Sequence, residues 1–488
     1  MPAKFEGEVN PRPTVSVHEL ISSLAECSAC GSSTGEAPVK PPPALQGLHA
    51  DKRSAARAAS VLAGACKAFC DAFGDAAVEV VRSPARVNLR GMHIDNNGGY
   101  TNSICIDRET FIVFALRPPG ANGSRLRLRN TGEHFTPLAV EVALSGQSQD
   151  LSQLSGWERY AAAAVRALEE VLGIADWPVD ILGAVSSDIP PGAGLSSSHA
   201  FVVCLLQVLA AAVGRGDGLE PVRELRATQR AEHLAGVKSG LMDQGSMIFG
   251  KLSSLVHGRF FDLKFNEIPS TVRHCPWPEG CAVVVANSGV ERKLAAGGNA
   301  IEYALPRLGC AIAMPVLREA AAARGLAVED EYSWGAKETL ELLKAVPAVA
   351  TLAELLQLLP QHGEHIQAAV ARLIPGGAEA LGEQAFPLRG STLFVLAESA
   401  RAREFAEALG RGDLEACGRL MDVGHEGDAV DGELLISDET LDKLAAEFAG
   451  RSLGLLPGAF RAGHQRLDEL CAALRAAGAA GASLTGAG

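Results

Sequence analysis

The chain has 488 residues, enough for two large domains or three small ones and a sizeable core. Hydrophobic residues make up 47% and aromatics 5%, with 52 glycines, a soluble α/β-type composition rather than a disordered one. The net charge of −13 argues against general attraction to nucleic acid or to an anionic membrane surface, although a local loop of backbone N–H groups can still hold a nucleotide polyphosphate.

Residues 1 to about 45 are rich in Pro, Ser and Gly, including Pro41-Pro42-Pro43, and read as a mobile extension. The first residues lack the charged-then-apolar pattern of a secretory signal. Cys27 and Cys30 form a lone C-x-x-C with no second pair nearby, a weak signal for metal or redox chemistry. The Ala-rich stretch from Asp51 to Phe73 predicts a helix, and Val78 to Arg82 a short strand. Thr110 to Ala115 and Arg125 to Arg129 are strand candidates, Trp157 to Leu172 a helix and Val179 to Val185 another strand. A Gly/Pro/Ser loop from Pro190 to Ser198 then opens a long apolar helix. Its apolar run, Ala200 to Val213, is too short to span a bilayer and is interrupted by Gln207. Ala282 to Ala286 reads as a buried strand. Helices dominate beyond it, around Glu338 to Leu343, Leu352 to Leu359 and Ala400 to Leu409, while Phe394-Val395-Leu396 is ambiguous. A boundary is expected near Pro269 to Pro278. The 11 cysteines are scattered and odd in number, which fits reduced thiols in the cytosol better than a disulfide framework.

The strongest local signal is Pro190-Pro191-Gly192-Ala193-Gly194-Leu195-Ser196-Ser197-Ser198. Gly192 and Gly194 let the backbone turn tightly and approach a ligand without a Cβ clash. The serines sit where a helix begins, and a helix N-terminus offers unpaired N–H donors and the positive end of the dipole. Read alone, the stretch fits either phosphate binding or an ordinary turn with a serine cap. It is neither a Walker loop nor a G-x-G-x-x-G fingerprint.

Two further segments change its weight. Ser83-Pro84-Ala85-Arg86-Val87-Asn88-Leu89-Arg90-Gly91-Met92-His93-Ile94-Asp95-Asn96-Asn97-Gly98-Gly99 resembles the N-terminal galactokinase signature. The serine loop resembles the second motif of the GHMP kinases, in the form galactokinases use. Gly481-Ala482-Ser483-Leu484-Thr485-Gly486-Ala487-Gly488 resembles the beginning of the third motif. Ala231-Glu232-His233 through Gly240-Leu241-Met242-Asp243-Gln244 is similar to the catalytic stretch of that family, and Asn287-Ser288-Gly289-Val290 to the opening of its second half. Gly412-Asp413, Gly418-Arg419-Leu420-Met421 and His425 follow its late helical pattern.

The resemblance implies an α+β, two-domain GHMP kinase fold. Residues 46–272 would form an N-terminal ribosomal-S5-like α/β domain carrying the ATP-binding loop, and 273–488 a C-terminal α/β sandwich that is incomplete at its end, within the third motif. The active site is expected in the cleft between them. By the same resemblance, Asp243 is the catalytic carboxylate beside the attacking hydroxyl and Arg86 its companion. The loop Gly192, Ala193, Gly194, Leu195, Ser196, Ser197 and Ser198 binds ATP. Ser198 and Glu232 are the expected Mg²⁺ partners, being hard oxygen donors. The substrate-binding positions are Met92, His93, Asp95 and Asp243.

The implied activity is Mg-ATP-dependent phosphorylation of a monosaccharide at its anomeric hydroxyl. The alternatives are a catalytically silent sugar and ATP sensor, or a GHMP kinase for a non-sugar alcohol such as mevalonate. No nucleic-acid or membrane partner is expected, and a monomer and a homodimer are equally compatible with the sequence. Three positions depart from the family. Met92 stands where a glutamate contacts the sugar, Arg90 where an apolar residue is usual, and Asn299 where a tyrosine would stand near the sugar. A pocket changed at three positions implies a different sugar.

Overall fold

The computed structural model describes residues 14–29, 49, 51–132, 138–144, 150–290, 298–328, 330–430 and 436–486, with the backbone alone at 25–29 and 298–300. The chain divides into two compact units. One comprises residues 1–87, 104–254 and 265–269, and the other 88–103, 255–264 and 270–488. The second unit thus includes residues 88–103 and 255–264, which lie in the N-terminal half and middle of the chain, as well as everything after Pro269.

The first unit is built on β1 (Val15–Ser16), α1 (Val17–Ala29), α2 (Lys52–Phe73), β2 (Ala77–Arg90), β3 (Tyr100–Arg117), β4 (Arg125–Asn130) and β5 (Ala139–Ala143). These are followed by α3 (Gly156–Leu172), β6 (Asp180–Ser187), α4 (Ser197–Ala212), α5 (Pro221–Ala235) and α6 (Met242–Phe249). The strand order is β1-β2-β3-β6-β4-β5. β3 and β6 run antiparallel, as do β4 and β5, whereas β4 and β6 are parallel.

Side chains alternate across β3, so its central run buries both faces. Phe111 and Val113 join a core with Leu62, Cys66 and Phe69 of α2. Ile112 and Phe114 join another with Leu168 of α3 and Phe201 and Leu205 of α4. That two-sided burial explains why Thr110 to Ala115 reads as a nearly continuous apolar run. β4, between β6 and β5, instead alternates, with Leu126 and Leu128 buried while Arg125 and Arg127 reach Glu141.

The expected mobile extension is in part ordered structure. Val15 and Ser16 pair antiparallel with Val78 and Ala77. Val17, Leu20 and Leu24, spaced one and two turns apart, share the core with α2. Cys30 lies outside the described residues, as does the Cys27 side chain.

The second unit begins where Tyr100–Ser103 of β3 pairs antiparallel with β7 (Ser254–Arg259). After a single turn, α7 (Ile268–Thr271), β8 (Arg273–Pro276) pairs with β7. Helices then dominate: α8 (Gly298–Ala323), α9 (Ala336–Leu342), α10 (Leu352–Leu358), α11 (Gly363–Leu373), α12 (Gly377–Leu381) and α13 (Arg389–Gly410), followed by α14 (Leu414–Asp428), α15 (Asp438–Glu447) and α16 (Gln465–Ala476). Phe394, Val395 and Leu396 are fully buried within α13, which settles the ambiguous segment as helix.

One expectation fails. Ala282 to Ala286 forms no strand, and Val284 and Val285 remain 73% and 44% exposed. A β-rich apolar run becomes a buried strand only when a ladder partner takes up its N–H and C=O groups. Among the described residues, none pairs with this one.

Candidate active site

Four of the anticipated residues converge in the first unit. Arg86, near the end of β2, donates from Nε to Asp243 Oδ1 at 2.8 Å, and its Nη2 lies 2.6 Å from the same oxygen. Its Nη1 donates to the carbonyl of Gly194 at 2.6 Å, so one guanidinium ties the glycine loop to the carboxylate. Asp243 lies in the first turn of α6, where the helix dipole favours a carboxylate. Its other oxygen accepts from the Ser196 hydroxyl at 2.7 Å.

Burial alone would push the Asp243 carboxyl up. Arg86, His199 and the Ser196 hydroxyl more than offset this and bring it down to about 2. The side chain still keeps 19% of its surface exposed, so it is not sealed off from a ligand.

Ser196 adopts φ 64°, the left-handed region that a non-glycine residue rarely enters, and is the N-terminal cap position of α4. Gly192 and Gly194 also have positive φ, at 69° and 70°. The loop therefore winds tightly before α4 starts, presenting Ser197 and Ser198 at the positive end of the helix. Ser196 was expected as an ATP-binding hydroxyl; that hydroxyl is instead committed to Asp243, while its backbone forms the turn.

Glu232, on the last turn of α5, is fully buried, and among the described residues neither of its oxygens has an aligned hydrogen bond. Burial pushes its carboxyl up, against the opposing pull of His199 and the nearby Ser198 hydroxyl. His199 links the two acids: its Nδ1 lies 3.6 Å from Glu232 Oε1 and 3.5 Å from Asp243 Oδ2. Sequence reasoning missed His199, a single histidine inside an apolar helix.

It also missed a cavity of about 250 Å³ that shares Ser197 and Ser198 with the loop. Its walls are Thr110, Asn130, Trp157, Tyr160 and Phe201, with Ser187 at the end of β6. Trp157 and Phe201 meet edge-on, with ring centroids 5.9 Å apart. A recess with three aromatic rings among small polar side chains, beside a helix N-terminus, suits a flat heterocycle attached to phosphates.

The remaining candidates lie in the second unit. Met92 is 1% exposed and packs in the main core with Ile94, so the expected sugar-facing position is a core position. Its amide and that of Gly91 donate to Glu398 of α13, at 3.2 and 2.7 Å. Arg90 is fully buried and pairs with the same carboxylate, which also binds Arg401. Burial would raise the Glu398 carboxyl, yet Arg90 and Arg401 hold it below the usual range. Arg90 is thus a structural member of a buried ion cluster. Gly424 of α14 has no Cβ because Arg90 Nη1 occupies that space.

His93 adopts φ 61° and stacks on Phe460, with centroids 4.5 Å apart and planes within 5°. Asp95 opens a 3-10 turn that closes at Gly98, whose φ is 78°. The side chain of Asn299 lies outside the described residues. One helical turn further on, Tyr303 places its hydroxyl 3.1 Å from His93 Nδ1, so a tyrosine does stand beside the turn. The third motif packs in this unit too. Thr485 Oγ1 accepts from the Asn88 amide and donates to its carbonyl, both at 3.0 Å.

Comparison with known proteins accords with this geometry. The GHMP kinases N terminal domain matches residues 159–251, and the galactokinase galactose-binding signature residues 67–116. Galactokinase of Mycobacterium tuberculosis is 32% identical over 380 residues, covering 76% of this chain and 82% of that protein. Galactokinase of Roseiflexus is 28% identical over 383 residues, covering 77% and 80%. Among solved structures, Lactococcus lactis galactokinase complexed with galactose aligns with a TM-score of 0.56 and 20% identity, over 86% of each chain, a likeness of fold. The motifs, the GHMP kinase fold and these relatives lead to one conclusion: the chain belongs to the galactokinase family of GHMP kinases.

Proposed function

We propose that the protein transfers the γ-phosphoryl group of Mg-ATP to the anomeric hydroxyl of a monosaccharide, giving a sugar 1-phosphate. The observation that carries this is the ionised, partly exposed Asp243, gripped by Arg86 and Ser196 at the head of the glycine–serine loop. Phosphoryl transfer asks the protein mainly to position its reactants and stabilise charge. Asp243 accepts a hydrogen bond from the attacking hydroxyl and aligns it; held at about 2, its carboxylate is a weak base, suited to orientation more than to full proton removal. Arg86 keeps that carboxylate ionised. The loop amides and the start of α4 receive the phosphates, and the cavity of Trp157, Tyr160 and Phe201 receives the nucleoside base.

The chemistry of Glu232 and Ser198 fits Mg²⁺. Glu232 is a buried carboxylate whose two oxygens have no aligned hydrogen bond among the described residues, and the Ser198 hydroxyl stands beside it. Among the described residues, no group of three or more His, Cys, Asp or Glu is arranged to hold a metal alone. That matches an ion which takes one or two protein oxygens and completes its shell with phosphate and water. When bound, it would neutralise charge on the phosphates.

In the second unit, the turn bearing His93 and Asp95, together with Tyr303, is the proposed source of sugar-hydroxyl contacts. Asp can accept from two adjacent hydroxyls. With Met92 and Arg90 turned to the core, the sugar preference rests on these groups. The nine described cysteines are all unpaired, which supports the reducing cytosol as its compartment. No described helix is long and apolar enough to cross a membrane.

A coupled ADP-release assay over a panel of monosaccharides, with mevalonate and homoserine alongside, tests the reading. Release with at least one sugar and not with the other alcohols is expected. Sugar and ATP binding without turnover would reject it.

A further inference from the structure

The turn that carries Asp95 closes three bonds of its own. The amides of Asn97 and Gly99 donate to the Ile94 carbonyl at 3.0 and 3.1 Å, and that of Gly98 to the Asp95 carbonyl at 3.1 Å. The carbonyls of Asn97 and Gly98 take no part in these bonds, and both are held by side chains from elsewhere in the second unit. The Tyr332 hydroxyl donates to the Asn97 carbonyl at 2.5 Å, and Arg259 Nε, at the end of β7, donates to the Gly98 carbonyl at 2.7 Å. Tyr332 is 1% exposed, and burial pushes its hydroxyl well above the ordinary tyrosine value, so it remains a donor.

Both grips are themselves fixed. The Arg259 guanidinium lies 5.4 Å from the centre of the Tyr100 ring and 5.3 Å from that of Tyr332, and its Nη1 meets Asp330 Oδ1 at 3.3 Å. The segment bearing Tyr332 is anchored in turn: Arg318 holds Glu331 at 2.7 Å, and Arg403 donates to the Tyr332 carbonyl. Gly98 packs so close to Phe261 that a Cβ there would stand 2.8 Å from the ring. The turn is thus held through its backbone, while Asp95 stays half-buried and Asn96 exposed.

We propose that Tyr332 and Arg259 are positioning residues for the sugar: they clamp the backbone of the 95–98 turn and so fix where Asp95 meets substrate hydroxyls. A single three-residue turn has little stability of its own. A carboxylate that accepts from two adjacent hydroxyls loses its grip when displaced, since both bonds depend on its direction. The clamp therefore acts on sugar binding and not on nucleotide binding, whose residues belong to the first unit. This rests on the reading that Asp95 contacts the sugar.

The test uses the full chain and two variants from different elements. Tyr332→Phe keeps the buried ring and removes only the hydroxyl; Arg259→Lys keeps a charge facing Asp330 and loses the directed Nε–H. Hydrogen–deuterium exchange read by mass spectrometry over residues 94–99 is combined with thermal melts and steady-state kinetics. The kinetics use ATP and the sugar of the panel with the highest kcat/KM. The expected result is faster exchange confined to the turn, KM for that sugar raised about tenfold, and KM for ATP unchanged. Unchanged exchange at the turn in the folded variants would overturn the proposal. So would a lowered melting point with faster exchange throughout the second unit and a wild-type sugar KM, the mark of a merely structural role. Local exchange as expected, with the sugar KM unmoved or no sugar turned over at all, would sink the reading of Asp95 as a sugar contact and leave the clamp standing.

Discussion

Arg86 and Asp243 stand 157 positions apart in the chain and meet at 2.8 Å, and the same guanidinium grips the Gly194 carbonyl. This places a permanently charged cation, an ionised carboxylate and the glycine–serine loop in one hydrogen-bonded assembly. Asp243→Asn removes the charge while keeping the shape, and breaks the pairing with Arg86. Turnover should fall by at least about a thousandfold, with nucleotide affinity within a few-fold of wild type. Steady-state kinetics and a nucleotide titration check both parts; a wild-type rate would end the assignment. The pH dependence follows from the depressed carboxyl. A group lowered from its ordinary value to about 2 contributes stability above that ordinary value and loses it as the pH falls through 2. Asp243 should therefore stay ionised above about pH 4, and any change of kcat in that range should come from other groups.

Glu232 behaves in the opposite sense. Burial raises its carboxyl, so the metal-free protein is most stable with this group protonated and loses stability as the pH rises through the elevated value. Mg²⁺ should relieve that cost, so stabilisation by Mg-ATP should grow with pH over this window. Glu232→Gln should flatten the trend and raise the Mg²⁺ concentration needed for half-maximal activity about tenfold or more. Thermal melts across pH, with and without Mg-ATP, and a Mg²⁺ titration of activity measure this. A Gln variant with unchanged metal demand would remove Glu232 from the site.

The gathering of Arg86, Ser198, Glu232 and Asp243 was legible in the sequence because each sits in a motif whose letters carry its chemistry. Residues that act through packing were not. His199 is a lone histidine in an apolar helix, indistinguishable there from a core residue. The cavity draws Thr110, Trp157 and Phe201 from three separate elements, and only the fold brings them together. Apolar lettering at Ala282 to Ala286 signals strand propensity but not whether a partner exists to complete the ladder. The burial of Met92 and Arg90 could not be read from the sequence either, since the backbone at 91–92 and the Arg90 side chain are held by Glu398, some 300 positions away. Tyr303 was overlooked by one helical turn.

The aromatic cavity makes a prediction that needs no turnover. Trp157 lines it beside Ser197 and Ser198, so nucleotide binding should change its emission. Adding ATP should shift the intrinsic fluorescence, and Trp157→Phe should lose that response while retaining most of its activity. Ser187→Phe, which fills the recess from the end of β6, should raise KM for ATP about tenfold and leave KM for the sugar unchanged. An undiminished fluorescence response in Trp157→Phe would place the base elsewhere.

Met92→Glu would restore the glutamate usual in the family, and the sequence alone suggests a gain of activity on galactose. The packing argues otherwise. Met92 is 1% exposed among apolar neighbours, its sulfur lies 3.4 Å from Asn88 Nδ2, and its amide already donates to Glu398. A carboxylate at this position would be buried. Arg90 and Arg401 are already committed to Glu398, so the new charge would lack a counterion. Such a charge costs about 3–5 kcal/mol. Urea denaturation should show a loss of that size for Met92→Glu, against less than about 1.5 kcal/mol for the volume-conserving Met92→Leu. Activity on galactose should fall with the folded fraction rather than rise. A Glu variant of wild-type stability that gains activity on galactose would show that position 92 faces the substrate and not the core.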